Sequence, residues 1–162
     1  FIKEFEKTIK DLVNNLKLRN NIFVHRDFHV SNLMLVKKRI GIIDSQDALI
    51  GNRAYDLASF VDDVRLKTSE SLKKKMFNFY LSKNKNINKK KFKNDFEILS
   101  VLRNLKIIGI FTRLAIRDGK IKYLKLIPYA WKLISIRIDK NKVFKDLNNL
   151  LNQNFKKELN AN

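Results

Sequence analysis

The sequence predicts an α+β fold that is mainly α, on three observations. Apolar residues recur at helical spacing over residues 1–18, two short apolar segments flank the polar pair Lys37–Lys38, and helical spacing returns from residue 55 to near the end. The predicted order is a helix, a β-hairpin and a helical subdomain. At 162 residues the chain can bury a core, and we expect one domain over residues 1–162.

The first part of the chain contains the predicted strands. The helix over residues 1–18 places five apolar side chains on one stripe: Phe5, Ile9, Leu12, Val13 and Leu16. A short apolar strand, NIFV, then runs into the polar sequence HRD. The segments NLMLV and KRIGIID follow as the two strands of a hairpin whose turn is Lys37–Lys38.

Helices are predicted for nearly all of the chain after Asp56. Their ranges are 55–66, 69–81, about 91–116, 121–138 and 141–155, with a turn at RDGK (117–120). Pro128 falls in the first turns of one helix, where proline is tolerated. Gly109 lies inside the longest helix, where glycine costs about 1 kcal/mol relative to alanine, so we expect another helix or a ligand to approach closely there.

Composition excludes several classes of protein. The sequence has no cysteine, which rules out a disulfide framework and a thiolate metal site. No apolar run is long enough to span a bilayer, and the charged N-terminal sequence FIKEFEKTIKDL is unlike a secretory signal. We therefore expect a cytoplasmic protein with no membrane partner.

The formal net charge of +19 at pH 7 is typical of proteins that bind nucleic acid or an anionic surface. Here lysine greatly outnumbers arginine and is mixed with asparagine and isoleucine, as expected if AT-rich codons set the composition of exposed positions. The most basic segment, residues 82–95, contains one aromatic side chain, Phe92, and so lacks a stacking platform. We interpret it as a solvated loop leading into a helix and do not expect nucleic acid as a partner.

Three polar side chains stand between apolar segments at the spacing of a phosphoryl-transfer site. Asp27 and Asn32 lie in HRDFHVSNLM (25–34), and Asp44 ends the strand of IGIIDSQD (40–47). Phosphoryl transfer needs one carboxylate to orient the acceptor hydroxyl and take its proton, and a second carboxylate with a neutral oxygen to hold Mg²⁺ on the nucleotide phosphates. We expect these groups at strand ends facing one cleft. The alternative is a surface loop in which Asp and Asn cap turns.

The pattern H-x-D-x-x-x-x-N, followed by an apolar strand ending in Asp, resembles the catalytic and metal-binding loops of the protein-kinase-like superfamily. The resemblance implies the C-terminal lobe of such a fold, with ATP as co-substrate and Mg²⁺ as cofactor. It assigns Asp27 as the catalytic base and Asn32 and Asp44 as the Mg²⁺ ligands. His25 would orient the loop, with its ring packed and hydrogen-bonded.

The residues around this motif differ from those of eukaryotic-type protein kinases. His29 stands where such kinases place Lys, Ser45-Gln46 replaces Phe-Gly, and no long activation segment follows. Instead, GNRAYDLASF resembles the sequence that opens the next helix in the aminoglycoside phosphotransferase and choline kinase group. This favours a small-molecule acceptor, with Asp56 bracing the catalytic loop by accepting backbone N–H bonds.

Together with residues 102–134, these segments resemble bacterial cell-wall amino-sugar kinases, the anomeric N-acetylmuramate/N-acetylglucosamine kinases of that superfamily. The resemblance covers most of residues 22–138 and implies transfer of phosphate from ATP to the anomeric hydroxyl, giving a sugar 1-phosphate for peptidoglycan recycling. One departure is GNRAYD, where many relatives place Pro after the Gly. Possible acceptor contacts are His29, Asp47, Arg103, Asn104, Lys106 and Arg113, although for the four on the long helix a salt bridge on the helix face is an equal alternative.

Kinases of this kind also need an N-terminal lobe that holds the nucleotide phosphates. The chain has only four glycines and no Gly-rich strand–loop–strand. We therefore expect a fragment whose nucleotide-binding lobe lies upstream and which alone binds ATP poorly and turns over little. Its partners would be that lobe, the nucleotide and the sugar.

Two other classes of function remain open. Another small-molecule kinase, for choline, homoserine or an aminoglycoside, would keep the same three residues but line its pocket with acidic or aromatic groups for a cationic acceptor. Residues 102–134 carry basic groups instead. A non-catalytic basic binding protein would show steeply salt-dependent binding to polynucleotides and no nucleotide affinity.

Overall fold

The computed structural model describes residues 1–139 and 141–159. It is mainly helical with two small antiparallel sheets, so the predicted α+β, mainly α class is confirmed. The helices are α1 (Ile2–Asn14), α2 (Ala54–Val61), α3 (Glu70–Lys83), α4 (Lys89–Asp118), α5 (Ile127–Ile138) and α6 (Lys145–Leu159), and the strands are β1 (Asn20–Val24), β2 (Leu33–Val36), β3 (Arg39–Ile42) and β4 (Leu49–Asn52). Short 3₁₀ turns occupy Val30–Asn32, Ile121–Leu126 and Lys142–Phe144.

The chain divides into two compact units. The strand unit, residues 17–99, contains all four strands with α2, α3 and the start of α4. The helical unit, residues 1–16 and the described residues from 100 to 159, contains α1, the rest of α4, α5 and α6. That the chain folds as one domain stays a prediction.

The two sheets are each formed by one pair of antiparallel strands. β2 and β3 pair from Leu33 with Ile42 to Val36 with Arg39, which confirms the predicted hairpin. Both of its turn residues, Lys37 and Lys38, have positive φ angles, 45° and 67°. A two-residue hairpin turn of type I′ requires this conformation because its twist matches that of the strands.

β4, which pairs with β1, is not among the predicted strands. Its sequence, LIGN, is short and ends in two residues that disfavour strands, so composition alone does not reveal it. Space at Gly51 is limited, because a Cβ on it would lie 3.2 Å from Cγ2 of the buried Val24, and 2.9 Å from Cδ1 of the exposed Leu49, which can rotate away.

All five helical segments predicted after residue 54 are present, but some of their boundaries differ. α2 ends at Val61, five residues early, because the Asp63 carboxylate accepts a hydrogen bond from the Arg65 amide and so competes with the helix. α5 begins only at Ile127. Pro128 can occupy the first turn of an α-helix but not its interior, which explains why a 3₁₀ turn replaces the predicted start at residue 121.

An aromatic cluster forms much of the core of the strand unit. Phe77 packs against Phe96 with ring centroids 4.9 Å apart, and Tyr80 stacks on Phe92 at 5.1 Å. Phe92 is fully buried. Of the basic segment 82–95, only the residues between α3 and α4 form a loop. Its aromatic residue, Phe92, packs in the core, whereas its lysines are exposed.

In the helical unit, α5 and α6 supply most of the buried apolar side chains. Phe155 on α6 contacts both Phe1 and Trp131, at ring-centroid distances of 5.7 and 5.5 Å. Of the predicted stripe on α1, Leu12 is buried but Val13 is exposed. None of the helices in the described part of the chain combines the length and hydropathy needed to cross a membrane.

The expected close approach of another helix at Gly109 is not found among the described residues, whereas the approach of a ligand there stays a prediction. Gly109 is exposed, and a Cβ built on it meets no atom of the described residues within 4 Å. Open space on this face of α4 means that packing does not require a glycine there.

Candidate active site

The candidate catalytic loop, residues 25–32 and called the catalytic loop below, follows directly from the buried end of β1 at Val24. The loop begins with an unusual backbone conformation, because Arg26 has a φ of 73°. Residues other than glycine adopt this left-handed region only at a cost, so surrounding contacts must hold it in place.

Asp56 makes the contacts that hold the start of the loop. Its two carboxylate oxygens accept hydrogen bonds from the backbone amides of His25 at 2.7 Å and Arg26 at 3.0 Å. Asp56 lies in the first turn of α2, where the helix dipole favours a negative charge. The expected backbone hydrogen bonds to Asp56 are therefore present in the structure.

Tyr80 is electrostatically coupled to this carboxylate. Burial raises the pKa of the Tyr80 phenol above its ordinary value; the positive charge of Arg53 opposes this shift and the negative charge of Asp56 adds to it. The phenol therefore remains neutral at physiological pH.

His25 links the catalytic loop to the segment that carries Asp44. The ring is buried, and its Nε2 lies 3.0 Å from the backbone oxygen of Ile43. A carbonyl oxygen can only accept, so the Nε2 atom carries the proton in this contact. The ring is thus packed and hydrogen-bonded. Its partner, Ile43, directly precedes the candidate metal ligand Asp44.

Asp27 is half-buried and its carboxylate accepts no hydrogen bond from any described residue. Its backbone oxygen, in contrast, accepts from the His29 amide at 3.0 Å and from Asn32 Nδ2 at 2.9 Å. The backbone of the residue is therefore fixed while its carboxylate stays available. A general base needs this combination, because it must meet the proton that it removes.

Asn32 and Asp44 lie side by side. Asn32 Nδ2 is 3.4 Å from Asp44 Oδ2, and Gln46 Nε2 donates to Asp44 Oδ1 at 2.8 Å. Since the amide nitrogen of Asn32 points to Asp27 and Asp44, its amide oxygen points elsewhere. Asp44 has a φ of 70°, a conformation that Asp tolerates better than most residues.

These two side chains fit a magnesium ion by their chemistry. A carboxylate and an amide oxygen are the oxygen ligands that Mg²⁺ prefers, and the ion commonly keeps waters and substrate phosphates as its other ligands. Among residues 1–139 and 141–159, no group of three His, Cys, Asp or Glu side chains could hold a metal ion by itself.

Two further buried carboxylates accept hydrogen bonds from the loop or from residues around it, and neither is among the sequence-based candidates. Asp63 accepts a hydrogen bond from the backbone amide of Val30, inside the catalytic loop, at 3.1 Å. The available sequence signal is its position seven residues after Asp56, which would place both on one face of a helix.

The second is Asp95, near the start of α4. It is fully buried and accepts from the backbone amides of Lys17 and Leu18, at 2.8 Å each, and from Asn52 Nδ2 at 2.7 Å. Asn52 Oδ1 in turn accepts from the Ala54 amide at the start of α2. This network fixes the helix that carries Asp56, but its members are too distant in sequence to be recognised by spacing.

The other candidate contacts in the strand unit differ in exposure. Asp47 has an exposed side chain, and its backbone oxygen accepts a hydrogen bond from Arg26 Nη1 at 3.2 Å. His29 is buried. Asp47 is thus available to a ligand through its side chain, whereas His29 is largely enclosed.

The remaining candidates lie on α4 in the helical unit. Arg103 is 5% exposed and Asn104 is 0% exposed, whereas Lys106 and Arg113 are exposed. Asn104 Nδ2 donates to the Ser100 backbone oxygen at 2.9 Å, four residues earlier on the same helix. Their roles in acceptor binding stay predictions.

Three relatives of this chain share one name, N-acetylmuramate/N-acetylglucosamine kinase. The protein from Neisseria meningitidis serogroup B is 38% identical over 130 residues, which cover 76% of this chain and 39% of the relative. The proteins from Caulobacter vibrioides and Pseudomonas aeruginosa are 32% and 33% identical, over 71% and 90% of this chain and 33% and 45% of their own lengths. The chain therefore spans less than half the length of these relatives.

A family model described as the phosphotransferase enzyme family matches residues 1–88. The matched segment contains the catalytic loop, Asp44 and both carboxylates that hold the loop, Asp56 and Asp63. Since the match covers more than half of the chain, and a relative covering three quarters of it is 38% identical, the chain belongs to the phosphotransferase enzyme family.

Proposed function

We propose that the complete protein is an ATP-dependent kinase of a small-molecule hydroxyl, and that its acceptor is the anomeric hydroxyl of N-acetylmuramate and N-acetylglucosamine. The observation that carries the proposal is the arrangement of Asp27, Asn32 and Asp44. The backbone of Asp27 is fixed by Asn32 while its carboxylate has no partner among the described residues, and Asn32 lies next to Asp44, inside the segment that the family model matches.

In the proposed reaction, Asp27 accepts a hydrogen bond from the acceptor hydroxyl and takes its proton as the oxygen attacks the γ-phosphorus of ATP. The bond from the γ-phosphorus to the bridging oxygen breaks, and ADP leaves. Orientation by a positioned base contributes about 10²–10⁴-fold to such rates. His25 and Asp56 keep Asp27 in place through the backbone of the loop.

Asn32 and Asp44 would hold Mg²⁺. When bound, the ion neutralises charge on the phosphate oxygens during transfer. The contribution of the chain is to hold the Asn32 amide and the Asp44 carboxylate next to each other, with the Asp44 backbone in its left-handed conformation.

The choice of acceptor is supported by the relatives, all of which carry the amino-sugar kinase name. Basic groups on α4 agree with an acceptor that can carry a carboxylate, as N-acetylmuramate does, better than with cationic choline or an aminoglycoside. We also propose that an upstream lobe holds much of the nucleotide, in keeping with matches that cover only 39% and 45% of the relatives' own lengths. The chain alone should then turn over little.

The proposal is tested with the protein expressed from its complete coding sequence. Purified protein is incubated with ATP, Mg²⁺ and either N-acetylmuramate, N-acetylglucosamine, choline, homoserine or an aminoglycoside, and the products are identified by ³¹P NMR. We expect a phosphate on the anomeric oxygen of both sugars, formed at least about 10²-fold more slowly by the D27N variant. A product from choline, homoserine or the aminoglycoside alone would reject the amino-sugar assignment. Salt-dependent binding to polynucleotides without any ATP binding would reject the kinase assignment.

A further inference from the structure

Two consecutive buried aspartates follow α2, and they have different partners. Asp62 is 1% exposed and Asp63 is 2% exposed. Asp62 Oδ1 lies 3.0 Å from the buried ammonium of Lys73 on α3, which also donates to the Val61 backbone oxygen at 2.8 Å. Asp63 instead accepts the Val30 amide of the catalytic loop.

The contact between Asp63 and Val30 matters because of where Val30 lies in the loop. Val30 begins the 3₁₀ turn Val30–Asn32, which is closed by a hydrogen bond from the Asn32 amide to the His29 backbone oxygen. The turn sets the direction in which the Asn32 side chain extends from the backbone. The hydrogen bond from the Val30 amide to the buried Asp63 carboxylate therefore fixes the turn that positions Asn32, a candidate metal ligand.

Asp56 and Asp63 together hold the catalytic loop at two places. Asp56 binds the amides of His25 and Arg26, which directly precede Asp27, and Asp63 binds the amide two residues before Asn32. Hydrogen bonds from backbone amides to carboxylates are stronger than those between neutral groups. Arg65 Nη1 lies 3.3 Å from Asp63 Oδ1 and balances its buried charge.

We infer that Asp63 is a positioning residue for the metal-ligand end of the catalytic loop, as Asp56 is for the end that carries the base. The inference rests on the proposed function for its kinetic consequences. Asp62, the neighbour of Asp63, stabilises the fold instead, because it pairs with the buried ammonium of Lys73. Two consecutive buried carboxylates thus have different roles, and Asp62 provides a matched control for Asp63.

The test compares D63A with D62A in the protein expressed from its complete coding sequence. D63A frees the Val30 amide, so we expect the Mg²⁺ concentration for half-maximal rate to rise about tenfold, the lower end of the effect of removing partners of metal ligands. D63N keeps one acceptor oxygen for this amide and should lie between wild type and D63A. D62A should lower the melting temperature without changing the Mg²⁺ requirement. If D62A does not fold, the double variant D62A/K73M is used in its place as the control, because it removes both buried charges.

Amide hydrogen exchange provides a readout that is independent of activity. In D63A, a peptide covering residues 28–33 should exchange faster than in wild type, whereas the same peptide in D62A should not. If D63A does not fold, D63N takes its place, with the same direction of change expected. An unchanged Mg²⁺ requirement, or unchanged exchange of this peptide in a folded Asp63 variant, overturns the inference. If the wild-type protein phosphorylates no sugar, the proposed function fails, and the exchange measurement still decides the role of Asp63.

Discussion

Asn32 donates a hydrogen bond from its side-chain nitrogen to the backbone oxygen of Asp27, at 2.9 Å. The candidate metal ligand and the candidate base are thereby joined across five residues of one loop. The bond uses the amide nitrogen of Asn32 and leaves the carboxylate of Asp27 free, so each group keeps the atom that its proposed role needs. The two roles are nevertheless separable, because they depend on different atoms.

Replacement of Asp27 by Asn in the complete protein should lower turnover by at least about 10²-fold, the usual scale for a positioned base. The side chain keeps its size, and its carboxylate has no partner among the described residues, so folding should be unaffected. Nucleotide binding, measured by calorimetry, should change little. Turnover close to that of wild type would remove Asp27 from the role of base.

Replacement of Asn32 or Asp44 by Ala should instead raise the Mg²⁺ requirement, because each change removes one oxygen ligand. The measurement is a titration of the rate with Mg²⁺ at saturating ATP. S45A is a suitable control, since Ser45 is the exposed neighbour of Asp44 and its side chain has no partner among the described residues. Titration curves that match wild type for both N32A and D44A would show that the metal assignment is wrong.

The parts of the structure that the sequence predicts are those set by local spacing. Asp27, Asn32 and the hairpin lie within about twenty residues of each other, and short-range patterns place them on a loop and two strands. The contact between Asn52 and Asp95 joins residues 43 positions apart. No periodicity encodes such a contact, because it depends on how separate elements pack.

The errors in the predicted elements have equally specific causes. The end of α2 depends on a side-chain hydrogen bond of Asp63 to the Arg65 amide, which competes with a pattern that otherwise continues as a helix. Gly109 is read as a packing site because glycine is costly inside a helix. The structure shows that nothing in the described residues approaches it, so the cost is not offset there.

Gly109 therefore offers a test of stability. Replacement by Ala should raise the free energy of unfolding by about 0.5–1 kcal/mol, since Ala favours the helix and the added Cβ meets open space. Urea unfolding followed by circular dichroism measures the change. G51A is the contrasting variant: its Cβ would lie 3.2 Å from Cγ2 of the buried Val24, so it should gain less stability than G109A. A loss of stability in G109A would mean that this face of α4 is covered in the protein.

The hairpin turn offers a second gain in stability. Lys37 and Lys38 both adopt positive φ, which costs roughly 1–2 kcal/mol per residue in regular left-handed structure and less for Asn and Gly. The double variant K37N/K38G should therefore be more stable by about 1 kcal/mol. K37A/K38A removes the same two charges but keeps the unfavourable conformation, so it should show no gain. Equal stability of the two double variants would contradict a type I′ turn at these residues.

The last prediction concerns the acceptor. N-acetylmuramate carries a lactyl carboxylate that N-acetylglucosamine lacks, so a cation that contacts the acceptor should favour the first sugar. A charged hydrogen bond of this kind is worth about 1.5–3 kcal/mol. The candidates are Arg103, which is buried, and Lys106 and Arg113, which are exposed.

Ala variants of these three residues in the complete protein separate a role in specificity from one in folding. At least one should lower kcat/KM for N-acetylmuramate by about tenfold or more relative to N-acetylglucosamine, as expected for a contact made with one acceptor only. Conservative replacement of that residue, R103K or K106R for example, should recover part of the preference. Equal losses on both sugars in all three Ala variants would assign these cations to the fold or to the phosphates. The preference is measured as a ratio on one preparation of each variant, so a partly unfolded sample lowers both values and leaves the ratio unchanged.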